Sequence, residues 1–418
     1  MLSEKEKIDL ITQISLDFNE VKDLDMLLDR ILSNARKFFS ADAGSIYLKE
    51  ADHLRFGNTQ NTTLQKRLPP GKKLIFSTSE IPINSSSIAG FVARNLVSLN
   101  IADVYTLSNT VPYTFDSHFD KRNHYKTQSM LTVPMTNQRG HLLGVMQIIN
   151  AQDDQGNIAP FSFADEPLIG HFATSAALAV ERAQMTRNII LRMTSMAELR
   201  DPMETGAHVN RVGAYSVEIY EEWARSRGLP KLEIDRKKDF LRMAAMLHDV
   251  GKVAISDLIL RKQDRLTTQE FEAMKSHTFL GARLFRDIQT DFEEVAIHVA
   301  LNHHEKWDGS GYPGHVDLFT GKPLPGHENP PGCATGKRGE EIPLFGRIVA
   351  VADVYDALSS RRSYKEPWDE IRILEEMRAL SGKSFDPEIA EAFFSCFDTL
   401  KALAKRYPDQ NGEQISNQ

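Results

Sequence analysis

The sequence predicts two domains of different class: an α+β domain with an antiparallel sheet and flanking helices, joined by a long helix to an all-α domain. Three observations lead there. The chain has 418 residues, and at roughly 150 residues per domain that length calls for two to three cores. Between Ala43 and Asn150 short apolar runs alternate with turn residues, whereas from Pro202 onward helical spacing dominates. Between these stretches, residues 171 to 200 contain no proline and no glycine.

Taken in order, residues 1 to about 40 place apolar side chains at helical spacing, Ile8, Ile11, Ile14 and Leu16 and then Leu27, Leu28, Ile31 and Leu32, which predicts two amphipathic helices. Ser45 to Leu48, Leu74 to Phe76, Leu131 to Val133 and Leu142 to Ile149 read as strands, separated by turns such as Pro69-Pro70-Gly71 and Arg139-Gly140. The connecting helix carries Met185, Ile189, Met193 and Met196 at spacings of four, four and three, which suits either a two-stranded seam or packing against its own domain. Residues 314 to 341 hold six glycines and four prolines, too many for a regular element, and read as a long inserted loop. The expected division is residues 1–167, a connecting helix over 168–200, and 201–418.

Composition narrows the partners. Fifty Lys plus Arg against 57 Asp plus Glu gives a net charge of -7 with no run of five or six like charges, which disfavours a nucleic-acid polymer. Cys333 and Cys396 lack CxxC spacing, so neither a disulfide framework nor a thiolate zinc site is expected. The opening residues are charged and no apolar stretch is long enough to span a bilayer, which reads as cytoplasmic with no membrane contact.

The chemistry concentrates in the second domain. Eight of the 13 histidines fall between residues 200 and 330. His248-Asp249 ends an apolar helical run, with Lys252 one turn on if the helix continues; His277, the adjacent His303 and His304, and Asp353 follow. Upstream, Glu204 and His208 stand at i and i+4, on one helical face. Imidazole with carboxylate suits borderline divalent cations, and helices offering one or two such groups each build a metal cage in a bundle core. Adjacent His303 and His304 diverge by about 100° on a regular helix, so both can serve only near its end. Eight candidate ligands exceed one tetrahedral ion and suggest two or three metals, the arrangement that supports in-line phosphoryl displacement.

His248-Asp249 with Lys252, and the string from His303 through Glu305, Asp308, Gly309 and Gly311 to Tyr312-Pro313, resemble the two signatures of the HD-GYP family of HD-superfamily phosphodiesterases, which degrade the bacterial messenger cyclic di-GMP. The resemblance implies that His248, Asp249, His277, His303, His304 and Asp353 are metal ligands, with Asp249 bridging. It also implies that Glu204 and His208 belong to the subgroup holding a third metal. Iron or manganese is the expected cation. Asp249 and Lys252 would act at the reacting phosphate, and Tyr312, Arg362 and Lys365 would contact substrate. The implied reaction is hydrolysis to linear pGpG, with GMP as a further product left open. A receptor that binds without cutting, or a hydrolase of another cyclic dinucleotide, are the alternatives. One departure stands out: Gly314 to Arg338 intervenes before Gly339-Glu340-Glu341-Ile342-Pro343, where the family has a short loop.

Residues 43 to 165 are similar to a GAF domain through Ile81 to Val92, Leu99 to Val104, Ser129 to Met135 and Gly144 to Asn150. Asn150, Phe161, Asp165 and Glu166 fit the nucleotide-binding string of such domains, but Ala151 stands where that string has lysine. The domain therefore reads equally as a sensor of a small ligand or as a dimerisation module. A homodimer through it and the connecting helix is expected.

Overall fold

The computed structural model describes residues 12–408 apart from 15, 19, 70–73, 75–79, 199–205, 263, 331 and 361–367. The chain divides into two compact units between Arg187 and Asn188.

The first unit is built on one antiparallel sheet. Helix α1 (Leu24–Phe38) starts where the Asp23 carboxylate accepts from the Met26 N–H at 3.1 Å, with Asp25 in its first turn and Arg36 and Lys37 in its last. Strands β1 (Ala41–Glu50), β2 (His53–Asn61), β3 (Glu80–Pro82), β4 (Leu99–Ile101), β5 (Met130–Thr136), β6 (Leu142–Gln152) and β7 (Ile158–Ala159) follow. Their order is β3-β2-β1-β6-β5-β4, with β7 also on β6. Alternation sorts the two faces. Ile46, Leu48, Met146 and Ile148 meet Leu27, Leu28, Ile31 and Leu32 of α1, while Tyr47, Leu54 and Val145 meet Ala89 and Val92 of α2 (Ile88–Asn95). The strand expected at Leu74 to Phe76 is not found: Leu74 belongs to no strand, and the next two positions lie outside the described residues. Ile8 and Ile11 also lie outside them.

The string shared with nucleotide-binding GAF domains serves internal fastening here. The Asn150 side chain accepts from the Gln128 N–H at 2.7 Å and donates to the Lys126 carbonyl at 2.8 Å, and the Asn100 amide donates to the Phe161 carbonyl and to Glu166.

Helix α3 (Asp165–Glu198) begins three residues before the expected start at 168. Ile169, Phe172, Ala176 and Val180 join the α1 core, whereas Leu178, Met185, Ile189 and Met196 are exposed. Met193 leaves the expected seam: it packs with Ile190, Val209, Met243 and Leu247.

The second unit is helical: α4 (Gly206–Ser226), α5 (Lys231–Met246), α6 (Thr268–Lys275), α7 (His277–Arg283), α8 (Asp291–Asn302), α9 (Leu344–Ser359), α10 (Glu370–Leu380) and α11 (Pro387–Arg406). Helix α4 packs against α5, α9 and α11 around Tyr215, Tyr220, Leu241, Val351, Tyr355 and Phe393. Helix α5 does not continue to Lys252. It stops at Met246, and Val250–Ala254 forms a 3-10 turn instead. That turn lies hard against α7, where a Cβ on Gly251 would sit 1.9 Å from the His277 carbonyl oxygen and 2.4 Å from the Gly281 nitrogen.

The inserted segment 314–341 contains regular structure despite its glycines and prolines. Two-residue strands β8 (Glu328–Asn329) and β9 (Cys333–Ala334) pair, Val316 bridges Pro323, and a 3-10 turn covers Gly339–Glu341. The Arg283 Nε donates to the Leu318 carbonyl at 2.7 Å. Among the described residues no helix is long and apolar enough to cross a membrane.

Two glycine substitutions separate packing from propensity. Gly251→Ala should destabilise by about 1–3 kcal/mol or more, because its methyl would overlap backbone that a packed core resists moving. Gly170→Ala on α3, where a Cβ meets nothing within 4 Å, should stabilise by about 0.5–1 kcal/mol. Denaturant midpoints of the two variants should therefore shift in opposite directions.

Candidate metal centre

Three of the expected donor histidines follow directly on a helix end. His248 comes just after α5, His277 just after α6 and His303 just after α8. The last carbonyls of a helix have no partner within it, and each ring uses one. His248 Nδ1 lies 2.8 Å from the Ala245 oxygen, His277 Nδ1 2.7 Å from the Met274 oxygen, and His303 Nδ1 3.1 Å from the Ala300 oxygen. A carbonyl can only accept, so the proton sits on Nδ1 and Nε2 presents its lone pair.

Those Nε2 atoms point into two clusters. Asp249, His277, His303 and His304 form the first, His208, His248 and Asp353 the second, and within each one donor atom per residue lies within 4.8 Å of all the others. In the first, Asp249 Oδ1 lies 3.1 Å from His277 Nε2 and 3.4 Å from His303 Nε2. In the second, Asp353 Oδ1 lies 3.7 Å from His208 Nε2 and 3.9 Å from His248 Nε2. His248 Nε2 is also 3.3 Å from Asp249 Oδ2, so the clusters adjoin. His303 and His304 reach the same cluster because α8 ends at Asn302, with ring centroids 4.1 Å apart. Asp353 sits inside α9, just after the apolar run Ile348 to Ala352.

The donor set fits a divalent cation. It is nitrogen and oxygen with no thiolate. Asp249 Oδ1 and the Nε2 atoms of His277 and His303 are buried and, among the described residues, have no hydrogen-bond partner. Leaving such atoms unsatisfied costs about 1–3 kcal/mol each, and a shared cation removes that cost. Electrostatics agree. Burial pushes the Asp249 carboxyl up, but Lys252 and His248 beside it more than reverse this and hold it well below the usual range. Burial lowers His303, against the pull of Asp249, and lowers His304 further with His303 and His277 nearby. His303 and His304 are thus neutral and the Asp249 carboxylate charged, the states that bind metal.

Lys252 Nζ stands 2.8 Å from Asp249 Oδ2, brought there by the 3-10 turn. Tyr312 lies against His304 with centroids 4.8 Å apart, and Phe271 meets its other side at 5.9 Å. Its hydroxyl is pushed up by burial. The turn bearing it rests on Glu305, which is no donor to either cluster: its carboxylate accepts from the N–H groups of Gly314 at 2.6 Å and Lys337 at 3.2 Å.

Glu204, Arg362 and Lys365 lie outside the described residues. The residues missed from sequence are Asp356 and Arg211. The buried Asp356 carboxylate receives His208 Nδ1 at 2.9 Å and both Arg211 Nε and Nη2, at 2.6 and 3.0 Å. Burial raises this carboxyl, but those hydrogen bonds outweigh it and hold it below the usual range. Their signal was the i+3 spacing, Asp356 from Asp353 and Arg211 from His208, which puts each on the face of an expected donor.

Comparison with known proteins gives the same division. Residues 205–358 match the family model for the HD domain and residues 23–180 that for the GAF domain. A 3'3'-cGAMP-specific phosphodiesterase 2 of Vibrio cholerae serotype O1 is 37% identical over 232 residues, 56% of this chain and 39% of that one. A cyclic di-GMP phosphodiesterase of Thermotoga maritima is 37% identical over 219 residues, 52% of this chain and 51% of that one. The cyclic di-GMP phosphodiesterase response regulator RpfG of Xanthomonas campestris is 37% identical over 212 residues, 51% of this chain and 48% of that one. The chain thus spans about half or less of the length of these curated relatives. With both family matches, this chain carries a GAF domain followed by an HD domain.

Proposed function

We propose that the chain is a metal-dependent phosphodiesterase that opens cyclic di-GMP to linear pGpG. The observation that carries this reading is the convergence of seven imidazole and carboxylate donors on two adjoining clusters beside Lys252. The Thermotoga and Xanthomonas relatives, named for this activity, support the substrate. His248, Asp249, His277, His303, His304 and Asp353 would hold two cations, and His208, which clusters with His248 and Asp353, would with Glu204 serve a third. Without thiolate the set favours iron or manganese over structural zinc.

Bound there, divalent cations supply Lewis-acid polarisation of the phosphoryl oxygens and a lowered pKa for attacking water. The chain's own groups do the rest. In the balanced reaction a water oxygen bonds to phosphorus, the bond from phosphorus to the 3′ oxygen breaks, and that oxygen gains the proton the water loses. Lys252, held at Asp249 Oδ2, binds a phosphate oxygen or passes a proton to the departing one. Tyr312 packs against the sugar or base on the open side of His304. Arg362 and Lys365 take the second phosphate, which the cations do not reach, Arg362 through its planar fork.

The Vibrio relative favours a second substrate, a cyclic dinucleotide with one adenine, since it matches at the same identity. The phosphodiester chemistry is common to both. Retention of the donor set argues against a receptor without turnover.

The GAF domain regulates and dimerises in this reading. Leu178, Met185, Ile189 and Met196 are exposed on α3 at spacings of seven, four and seven, the separation of seam positions in a two-stranded coil. A small ligand of the GAF domain, or a partner, would act through that pairing.

Four measurements test this reading. Asp249→Ala abolishes product formation from cyclic di-GMP, followed by chromatography on anaerobically purified, metal-counted protein; wild-type kcat in that variant sinks the mechanism. With 3'3'-cGAMP beside cyclic di-GMP in the same assay, the larger kcat/KM identifies the substrate. Arg362→Ala raises KM about 10- to 100-fold with a smaller change in kcat, as expected for a lost charge-assisted hydrogen bond. Light scattering at micromolar concentration should give a dimer for the wild type and a monomer for Ile189→Glu; a monomeric wild type removes the pairing.

A further inference from the structure

His208 differs from the other histidines of the two clusters. It lies in the first turn of α4, where the orphan backbone groups of a helix are N–H donors and not carbonyls. Asp356 of α9 accepts from its Nδ1 at 2.9 Å. Its side chain is 2% exposed and that of Arg211 is 4% exposed, so the carboxylate is desolvated and needs compensation. Arg211 provides it with a two-pronged grip, Nε to Oδ1 at 2.6 Å and Nη2 to Oδ2 at 3.0 Å. Ser360 Oγ donates to Oδ1 at 3.2 Å. Arg211 is itself fixed: its Nη1 donates to the Tyr407 carbonyl at 3.0 Å, just past α11, and Arg242 donates to the Tyr407 hydroxyl at 3.0 Å.

We propose that Asp356 and Arg211 are positioning residues that fix the tautomer and tilt of His208 for cation binding by the His208, His248 and Asp353 cluster. This rests on the metal reading given above. A carboxylate accepting from Nδ1 leaves the Nε2 lone pair facing Asp353 and His248, and it raises the basicity of the ring. The rigid guanidinium grip keeps the carboxylate from rotating. The last turn of α11 is thereby part of the apparatus, through Tyr407. Neither residue touches a reacting atom; both act through His208.

The test is cation binding by the full chain, stripped with chelator and then titrated with Mn²⁺, with bound metal counted after gel filtration. Asp356→Asn places an amide N–H opposite Arg211 and should weaken the cation of this cluster about 10- to 100-fold. It should lose one equivalent on gel filtration while the Asp249, His277, His303 and His304 cluster keeps its own. His208→Ala should lose the same equivalent, and the double variant no more than either single one. Arg211→Lys, which keeps charge without the fork, should fall between wild type and Asp356→Asn. Circular dichroism reports folding, and if Asp356→Asn does not fold, Arg211→Lys decides by the same count. Wild-type stoichiometry and affinity in the folded variant, or additive losses in the double variant, overturn the clamp alone. A wild-type chain that takes up no Mn²⁺ overturns the metal reading and the clamp with it.

Discussion

The second domain depends on one local interaction used three times: an imidazole Nδ1 proton donated to a carbonyl that a helix leaves unpaired at its end. Ala245, Met274 and Ala300 supply the oxygens for His248, His277 and His303. The bond performs two tasks. It satisfies a backbone acceptor that burial would otherwise penalise, and it selects the tautomer whose free lone pair faces inward. Each of these helices also directs the negative end of its dipole at the donors. The imidazoles gathered around two carboxylates are thereby given a field that favours cations before any cation arrives.

The cost of this arrangement appears in how closely backbones must approach. His277 can present its ring beside Asp249 only because the turn after His248-Asp249 lies against α7 with no side chain between them. Gly251 and Gly281 meet at that contact, and a single Cβ on Gly251 would fall within 2 Å of the carbonyl of His277 itself. The His-Asp pair and Lys252 are often read together as a motif, yet the glycine between Asp249 and Lys252 has its own physical reason. It sets the distance between two donor-bearing segments, whereas Lys252 supplies charge to the carboxylate at 2.8 Å.

Much of this was legible in the sequence, for reasons that differ by element. Helix α1 declared itself through Leu27, Leu28, Ile31 and Leu32, since a one-sided apolar stripe has few other uses. Strands β1 and β6 showed as apolar runs because both their faces are covered. Strand β2, His-Leu-Arg-Phe-Gly-Asn-Thr-Gln-Asn, did not, since Leu54 is its main buried apolar contact and pairing with β1 rather than burial defines it. The donors were legible by residue type and position near apolar runs. Their grouping into four and three was not, because it depends on where α5 and α8 stop, and a helix end cannot be fixed to within a residue from spacing. Met193 illustrates the same limit: one position on α3 decides between an exposed seam and an internal cluster, and only the path of Val209 and Met243 settles it.

The inserted segment shows how such a site tolerates a large sequence change nearby. Glu305 follows the paired histidines directly, yet it is a staple rather than a ligand. One of its oxygens takes the N–H of Gly314, where the insertion leaves the Tyr312 turn, and the other takes the N–H of Lys337, where it returns. Lys337 Nζ then donates to Asn302 Oδ1 at 2.5 Å, at the end of α8. Gly314, with a φ of 82° and Thr335 O where its Cβ would stand, closes the same junction. Both ends of the excursion are thus clamped to one buried carboxylate beside His304. Whatever length of chain lies between, from the His315 and His327 stack to the β8–β9 hairpin, the Tyr312 turn meets the same anchor. The geometry at the donors is therefore insulated from the loop, which explains how the segment can differ from a short connection without moving the histidines.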